Sequence, residues 1–166
     1  MPRRLAAALA AALLFPFPAL AQPMENVGSW SVFENPDNCR AITDLDDGTT
    51  AILTLRSDGE ETDLGLTASP AFDVEDDEVE YIRIELLAGR TLLGDWRATY
   101  YEPFSDDMDA RHETEKGSVL LGPLARADRI RATLNGATLL EMALKDTAAL
   151  VPAIKDCVAR VDAAAP

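Results

Sequence analysis

The chain has one imidazole, His112. That leaves at most one side chain suited to proton transfer near neutral pH and excludes the common multi-histidine metal sites. Glu113 and Glu115 flank it, so it reads as a solvated residue in a polar loop. No serine stands in a G-x-S-x-G setting, and no glycine-rich phosphate loop is present. Carboxylates are abundant, with 29 Asp and Glu, but a glycosidase pair needs two acids on rigid elements facing each other across a cleft. Here the acids crowd turns and acidic runs, so a hydrolase using paired carboxylates is the third reading. Calcium is a better use for them, because hard oxygen ligands suit that ion. Asp44, Asp46 and Asp47 share a turn, and Asp73, Glu75 and Asp77 belong to a second acidic run. Counted from Asp44, however, Gly48 comes one position early for an EF-hand loop, and Leu55 stands where the bidentate glutamate belongs. A solvated acidic face accounts for the same residues. No cofactor is expected.

The two cysteines, Cys39 and Cys157, stand far apart in the chain. The N-terminus explains their use. Met1-Pro2-Arg3-Arg4 is a short basic region, Leu5 to Leu14 an apolar run, and Ala19-Leu20-Ala21 a small-x-small cleavage site. That is the layout of a secretory signal peptide over residues 1–21. The apolar run is too short to span a bilayer, and Gln22 occupies the place where a lipoprotein needs cysteine. A periplasmic or secreted location follows, and in an oxidising compartment an even cysteine pair without C-x-x-C reads as one structural disulfide.

The net charge of the full sequence is −14, and removal of Arg3 and Arg4 with the leader makes the remainder more acidic still. Such a field repels nucleic acid and anionic membrane. The length left after cleavage is that of a single domain, assigned to residues 22–162 with a disordered tail over 163–166.

Any site must be carried by the elements in between. Ser29–Glu34, Cys39–Leu45 and Thr50–Arg56 alternate as strands, separated by Asn35-Pro36-Asp37-Asn38 and Asp46-Asp47-Gly48. Ala51, Leu53 and Leu55 should share one face, with Ile52, Thr54 and Arg56 on the other. Ser57-Asp58-Gly59 closes that strand. Glu60–Glu78 loses periodicity and reads as an exposed loop. Val79–Leu87 sets Ile82, Ile84 and Leu86 against Tyr81, Arg83 and Glu85. Ala88-Gly89-Arg90 turns it into Thr91–Tyr101, with Leu92, Trp96, Ala98 and Tyr100 on one face. Pro103–Lys116 reads as a second acidic loop or a short helix, and Ser118–Leu121 as a short strand. Asn135-Gly136 marks a hairpin between Asp128–Leu134 and Ala137–Leu144, although Ala137–Lys145 also contains good helix formers. Asp146 or Thr147 can cap a last helix reaching about Val161, whose Leu150, Ile154, Cys157, Val158 and Val161 form one apolar stripe.

Trp30 and Trp96 fall on inward strand positions and are expected in the core. Tyr81 and Tyr101 fall on outward faces with Arg83 and Arg97. These four are the candidate interaction patch, although a second covered sheet face would use them equally well.

Trp30-Ser31-Val32-Phe33, Cys39-Arg40-Ala41 and the closing Leu144–Cys157 segment resemble the ends of exported proteobacterial proteins of the invasion-associated locus B family. In that family a tryptophan-bearing strand begins a β-rich periplasmic domain, and an Ala-rich helix near the C-terminus carries a cysteine. Leu64 to Tyr101 matches none of its motifs, and the acidic loops depart from it. The resemblance implies a non-enzymatic role in envelope or host-cell interaction and transfers no site residue. The expectation is therefore a mainly β protein, a single sandwich or partly closed barrel with a C-terminal helix and one disulfide. It would act through an envelope or extracellular protein partner, with small-ligand or calcium binding as the alternative.

Overall fold

Alternation of buried and exposed side chains builds most of this protein. Its computed structural model describes residues 23–56, 61–68, 81–101, 108–114 and 117–164. The strands are β1 (Pro23–Val27), β2 (Trp30–Glu34), β3 (Asn38–Asp44), β4 (Thr50–Arg56), β5 (Thr62–Ala68), β6 (Tyr81–Ala88), β7 (Thr91–Tyr101), β8 (Met108–Thr114), β9 (Arg129–Leu134) and β10 (Ala137–Ala143). The helices are α1 (Gly117–Leu124) and α2 (Thr147–Ala164). The signal peptide assigned to 1–21, the Ser57-Asp58-Gly59 turn and the acidic run from Asp73 to Glu78 lie outside the described residues.

Every pairing is antiparallel, in the order β1-β2-β3-β4-β5-β8-β7-β6-β9-β10. β2 and β10 stand near opposite ends of that order, yet the Trp30 indole Nε1 donates to the carbonyl of Lys145, just after β10, at 2.8 Å. The sheet therefore doubles over, and its two halves face each other across one core. Among the described residues β1 and β10 do not pair with one another, so no barrel closes. The mainly β class with a C-terminal helix is as expected. No helix of the described residues is long and apolar enough to cross a membrane.

The core gathers Trp30, Val32, Leu53, Leu55, Leu64, Leu66, Ile82, Ile84, Leu86 and Ile130 from the strands, with Leu120 and Leu124 from α1. α2 adds Leu150, Ile154, Cys157, Val158 and Val161, the whole predicted stripe, and packs on β2, β3 and β4. Cys157 on that stripe forms a disulfide with Cys39 of β3, across 118 residues of chain and with the Cα atoms 6.2 Å apart.

Several expectations need correction. The loop assigned to Glu60–Glu78 contains β5, in which Thr62, Leu64 and Leu66 are buried; intervening Asp63 and Gly65 had masked the period of two. The second acidic loop contains β8, which pairs with β5 and β7. Ser118–Leu121 is not a strand but part of α1, where Leu120, Leu121 and Leu124 are buried; periodicity cannot separate a short apolar run of either kind. Leu92 leaves the face of Trp96 and Ala98 and is 49% exposed, because a bulge between Leu86 and Leu87 shifts the β6–β7 register and brings Leu93 against the core instead. β1 carries too little apolar pattern to be expected at all.

The capping roles at α2 also differ from expectation. Asp146 sits at φ 59°, and its carboxylate accepts the Ser29 N–H at 2.9 Å. The Thr147 hydroxyl donates to the Ala127 carbonyl at 2.7 Å. Both side chains tie the helix entry to other elements, and α2 runs on to Ala164. Gly28, in the β1–β2 turn at φ +60°, is fitted against this latch: a Cβ there would lie 2.1 Å from Asp146 Oδ2. Gly28→Ala combines a left-handed backbone penalty with displacement of that carboxylate, so urea denaturation should register a loss of about 2 kcal/mol or more.

Candidate functional site

Strands β6, β7 and β9 present one polar outer face. Strand alternation aims Ile82, Ile84 and Leu86 into the core and therefore aims Tyr81, Arg83 and Glu85 outward. Two tight turns fix the neighbours. Gly89, at φ 58°, closes the β6–β7 hairpin, and Asn135-Gly136, at φ 50° and 84°, closes β9–β10; both need left-handed backbone, which these residue types tolerate. The registers place Arg83 between Arg97 and Thr133, and Glu85 between Asp95 and Arg131. An open groove of about 750 Å³ lies over these residues, and Asn135, Gly136 and Thr138 form its rim.

Its charged side chains hold one another. The Arg97 guanidinium carbon sits 3.2 Å from the Tyr81 ring centre, a cation–π stack that fixes the plane of the guanidinium. Arg83 Nη1 meets Asp95 Oδ2 at 2.5 Å. Arg131 Nε donates to Glu85 Oε2, and Arg131 Nη1 lies 3.5 Å from Glu141 Oε2. The hydrogen bond that Arg131 donates to Glu85 raises the Arg131 pKa above its ordinary value, with further help from the Glu85 and Glu141 charges against the opposing effect of burial. Arg131 is therefore a permanent cation.

Of the four patch residues expected from sequence, Tyr81, Arg83 and Arg97 come together here; Tyr81 is 45% exposed. Tyr101 pairs with Asp109 at the far end of β7, and its side chain lies outside the described residues. Glu85 shares their face, as its alternation with Tyr81 and Arg83 implies, whereas Asp95, Arg131, Thr133, Asn135 and Thr138 join the group without having been singled out. The β6–β7 hairpin already implied Asp95 beside Glu85. Nothing in the local pattern implied that β9 would pair with β6 across two intervening strands.

No family model, curated protein or solved structure matches this chain. What the arrangement can do must be read from its own groups.

Among its described lining residues there is no thiol, imidazole or serine hydroxyl to act as a nucleophile or its base. Glu85 and Asp95 are directly opposed, but each accepts from an arginine. A glycosidase pair instead requires one carboxyl kept as a proton donor. The groove is lined mainly by charged and polar groups. His112, expected in a loop, is in β8 opposite Leu64, one strand beyond β7 in the sheet order.

The calcium candidates diverge where they are described. Asp44 Oδ1 accepts the Thr50 hydroxyl at 2.9 Å, Asp47 Oδ1 accepts the Thr49 N–H at 2.8 Å, and Asp46 faces Lys145 Nζ at 3.6 Å. Among the described residues no three His, Cys, Asp or Glu side chains gather around one point. Asp73, Glu75 and Asp77 lie outside them.

Proposed function

We propose that this is a non-catalytic accessory protein of the cell envelope, exported to the periplasm or secreted, that acts by binding another protein through the β6–β7–β9 groove. The observation carrying the reading is the collection of Arg83, Arg97 and Arg131 over one open face of a chain with only 15 basic residues against 29 acidic ones. The Arg97 and Arg131 guanidiniums are held by the Tyr81 ring and by Glu85, and such restrained arginines suit recognition because little rotamer freedom is lost on binding. The signal-peptide layout supports export, and the resemblance to the invasion-associated locus B family favours an interaction role over a reaction. The groove volume also lies within the range of small-ligand pockets, which keeps a small ligand as the alternative occupant.

The test is crosslinking in the native envelope, followed by purification and mass spectrometry. The expected result is one stoichiometric protein that is lost when Arg83→Glu and Arg97→Glu are introduced together. Recovery of the wild-type protein alone would remove the protein-partner reading.

A further inference from the structure

The groove carries its charge in rows. Arg83 and Arg97 are direct cross-strand neighbours, and one step along the same strands so are Glu85 and Asp95. Like charges placed opposite each other oppose strand pairing. Arg131 of β9 stands on the other side of Glu85 and relieves that row, whereas the Arg83–Arg97 row has Thr133, not an acid, on its β9 side; a like-charged pair kept against a local rule of sheet construction marks a place where a protein has another use for the residues. Same-face residues on a strand are two apart, which sets the rows about 7 Å from each other. The Arg83–Asp95 pair that links them is exposed on both sides, at 60% and 37%, and exposed pairs of this kind hold little net energy and exchange partners readily.

We propose that the groove receives an extended segment of a partner protein bearing an acidic and a basic side chain two residues apart, the acid between Arg83 and Arg97 and the base beside the exposed Asp95, since Glu85 is buried beneath Arg131. This deepens the protein-binding reading and rests on it. The same spacing governs both sides: alternate side chains of an extended segment also recur about every 7 Å on one face. Paired arginines match a carboxylate by bidentate hydrogen bonding. Thr133, Thr138 and Asn135 along the β9–β10 side offer neutral donors and acceptors for the main chain of the segment. A polyanion such as nucleic acid or an anionic bilayer fits less well, because it would set further negative charge against the carboxylate row. A sugar stacked on Tyr81 would compete with the guanidinium of Arg97 already on that ring. A second copy of the chain would also match charges, but two concave faces brought together leave their grooves unfilled.

The test titrates the full folded protein, at physiological salt, with acetyl-Thr-Glu-Thr-Lys-Thr-amide, following backbone amide shifts. Two control peptides place Glu and Lys adjacent, hence on opposite faces, or replace both with Gln. Saturable shifts should centre on Arg83, Glu85, Asp95 and Arg97, and both controls should bind about tenfold more weakly or worse. Arg83→Glu with Arg97→Glu should reverse the preference toward a Lys-Thr-Lys peptide, an exchange that loss of structure cannot produce; Arg97→Gln, which introduces no new charge, should weaken the Glu-Thr-Lys peptide with the thermal midpoint nearly unchanged. Equal binding of all three peptides, shifts centred elsewhere, or a dimer in sedimentation that protects the groove amides would overturn the proposal. Because no envelope partner is needed, peptide failure with a partner recovered by crosslinking would discard only the segment chemistry. Peptide binding with no partner recovered would discard only the accessory role.

Discussion

Replacing Cys39 and Cys157 together with serine should lower the melting temperature by roughly 6–20 °C. The bond closes a separation of 118 residues, and the chain-entropy estimate for a loop of that length is about 5 kcal/mol, which native strain and residual unfolded structure reduce toward 3. For a chain of this size each kcal/mol moves the midpoint by about 2–4 °C. Both cysteines are fully buried, and the two residues join α2 to β3, which otherwise meet through the apolar stripe of the helix. Removing both cysteines avoids leaving one thiol to crosslink chains. Thermal denaturation followed by circular dichroism, with and without reductant on the wild type, measures the effect; the oxidised chain should also weigh two hydrogens less than the reduced one. A midpoint moving by less than about 3 °C would mean that the apolar stripe alone docks the helix.

The parts of this architecture that could be read from sequence are those whose signal is local. Thr50–Arg56 shows its alternation without interruption and is a strand over those same residues. Asn135-Gly136 demands left-handed backbone and closes the β9–β10 hairpin, which decides for strand against the helix-forming composition of Ala137–Lys145. The stripe on α2 keeps its spacing through Pro152, which falls in the early part of the helix. Where reading failed, the deciding interaction is distant in sequence. β5 and β8 are strands because they pair with one another and with β4 and β7, although each is diluted by acids that elsewhere mark loops. The displaced Leu92 follows from a bulge that no turn motif announces.

The candidate groove divides along the same line. Tyr81, Arg83 and Arg97 could be grouped because one hairpin carries them, and hairpin register follows from a local turn. Arg131 and Thr133 come from β9, which meets β6 only after the chain has passed through β7, β8 and α1. The charge rows are therefore half legible in sequence. The hairpin half supplies the opposed arginines and opposed carboxylates, and the tertiary half supplies the wall that turns a flat face into a groove.

Trp30→Ala should cost about 3–5 kcal/mol, the range for deleting a buried large aromatic, since the side chain is 1% exposed within the core. Trp30→Phe separates the two things this residue does. Phenylalanine keeps most of the apolar volume but cannot donate to the Lys145 carbonyl, which the indole reaches at 2.8 Å; the carbonyl then keeps only the Ser29 hydroxyl at 3.5 Å, so the lost bond costs about 1 kcal/mol beyond the lost volume. That bond spans the fold where β2 meets the entry to α2, beside the Ser29–Asp146 latch, while the disulfide holds the same helix further along. The two ties therefore restrain one element from two points. Combining Trp30→Phe with the cysteine pair replacement should be non-additive by about 0.5–3 kcal/mol, as expected for groups acting on a shared element. The combined loss should be smaller than the sum, because a helix already loosened at Cys157 gives up less when its entry is released. Chemical denaturation of the four members of that cycle measures the coupling. Additivity to within about 0.5 kcal/mol would mean that the entry and body of α2 are held independently, and that the latch at Trp30 stabilises the sheet ends without fixing the helix.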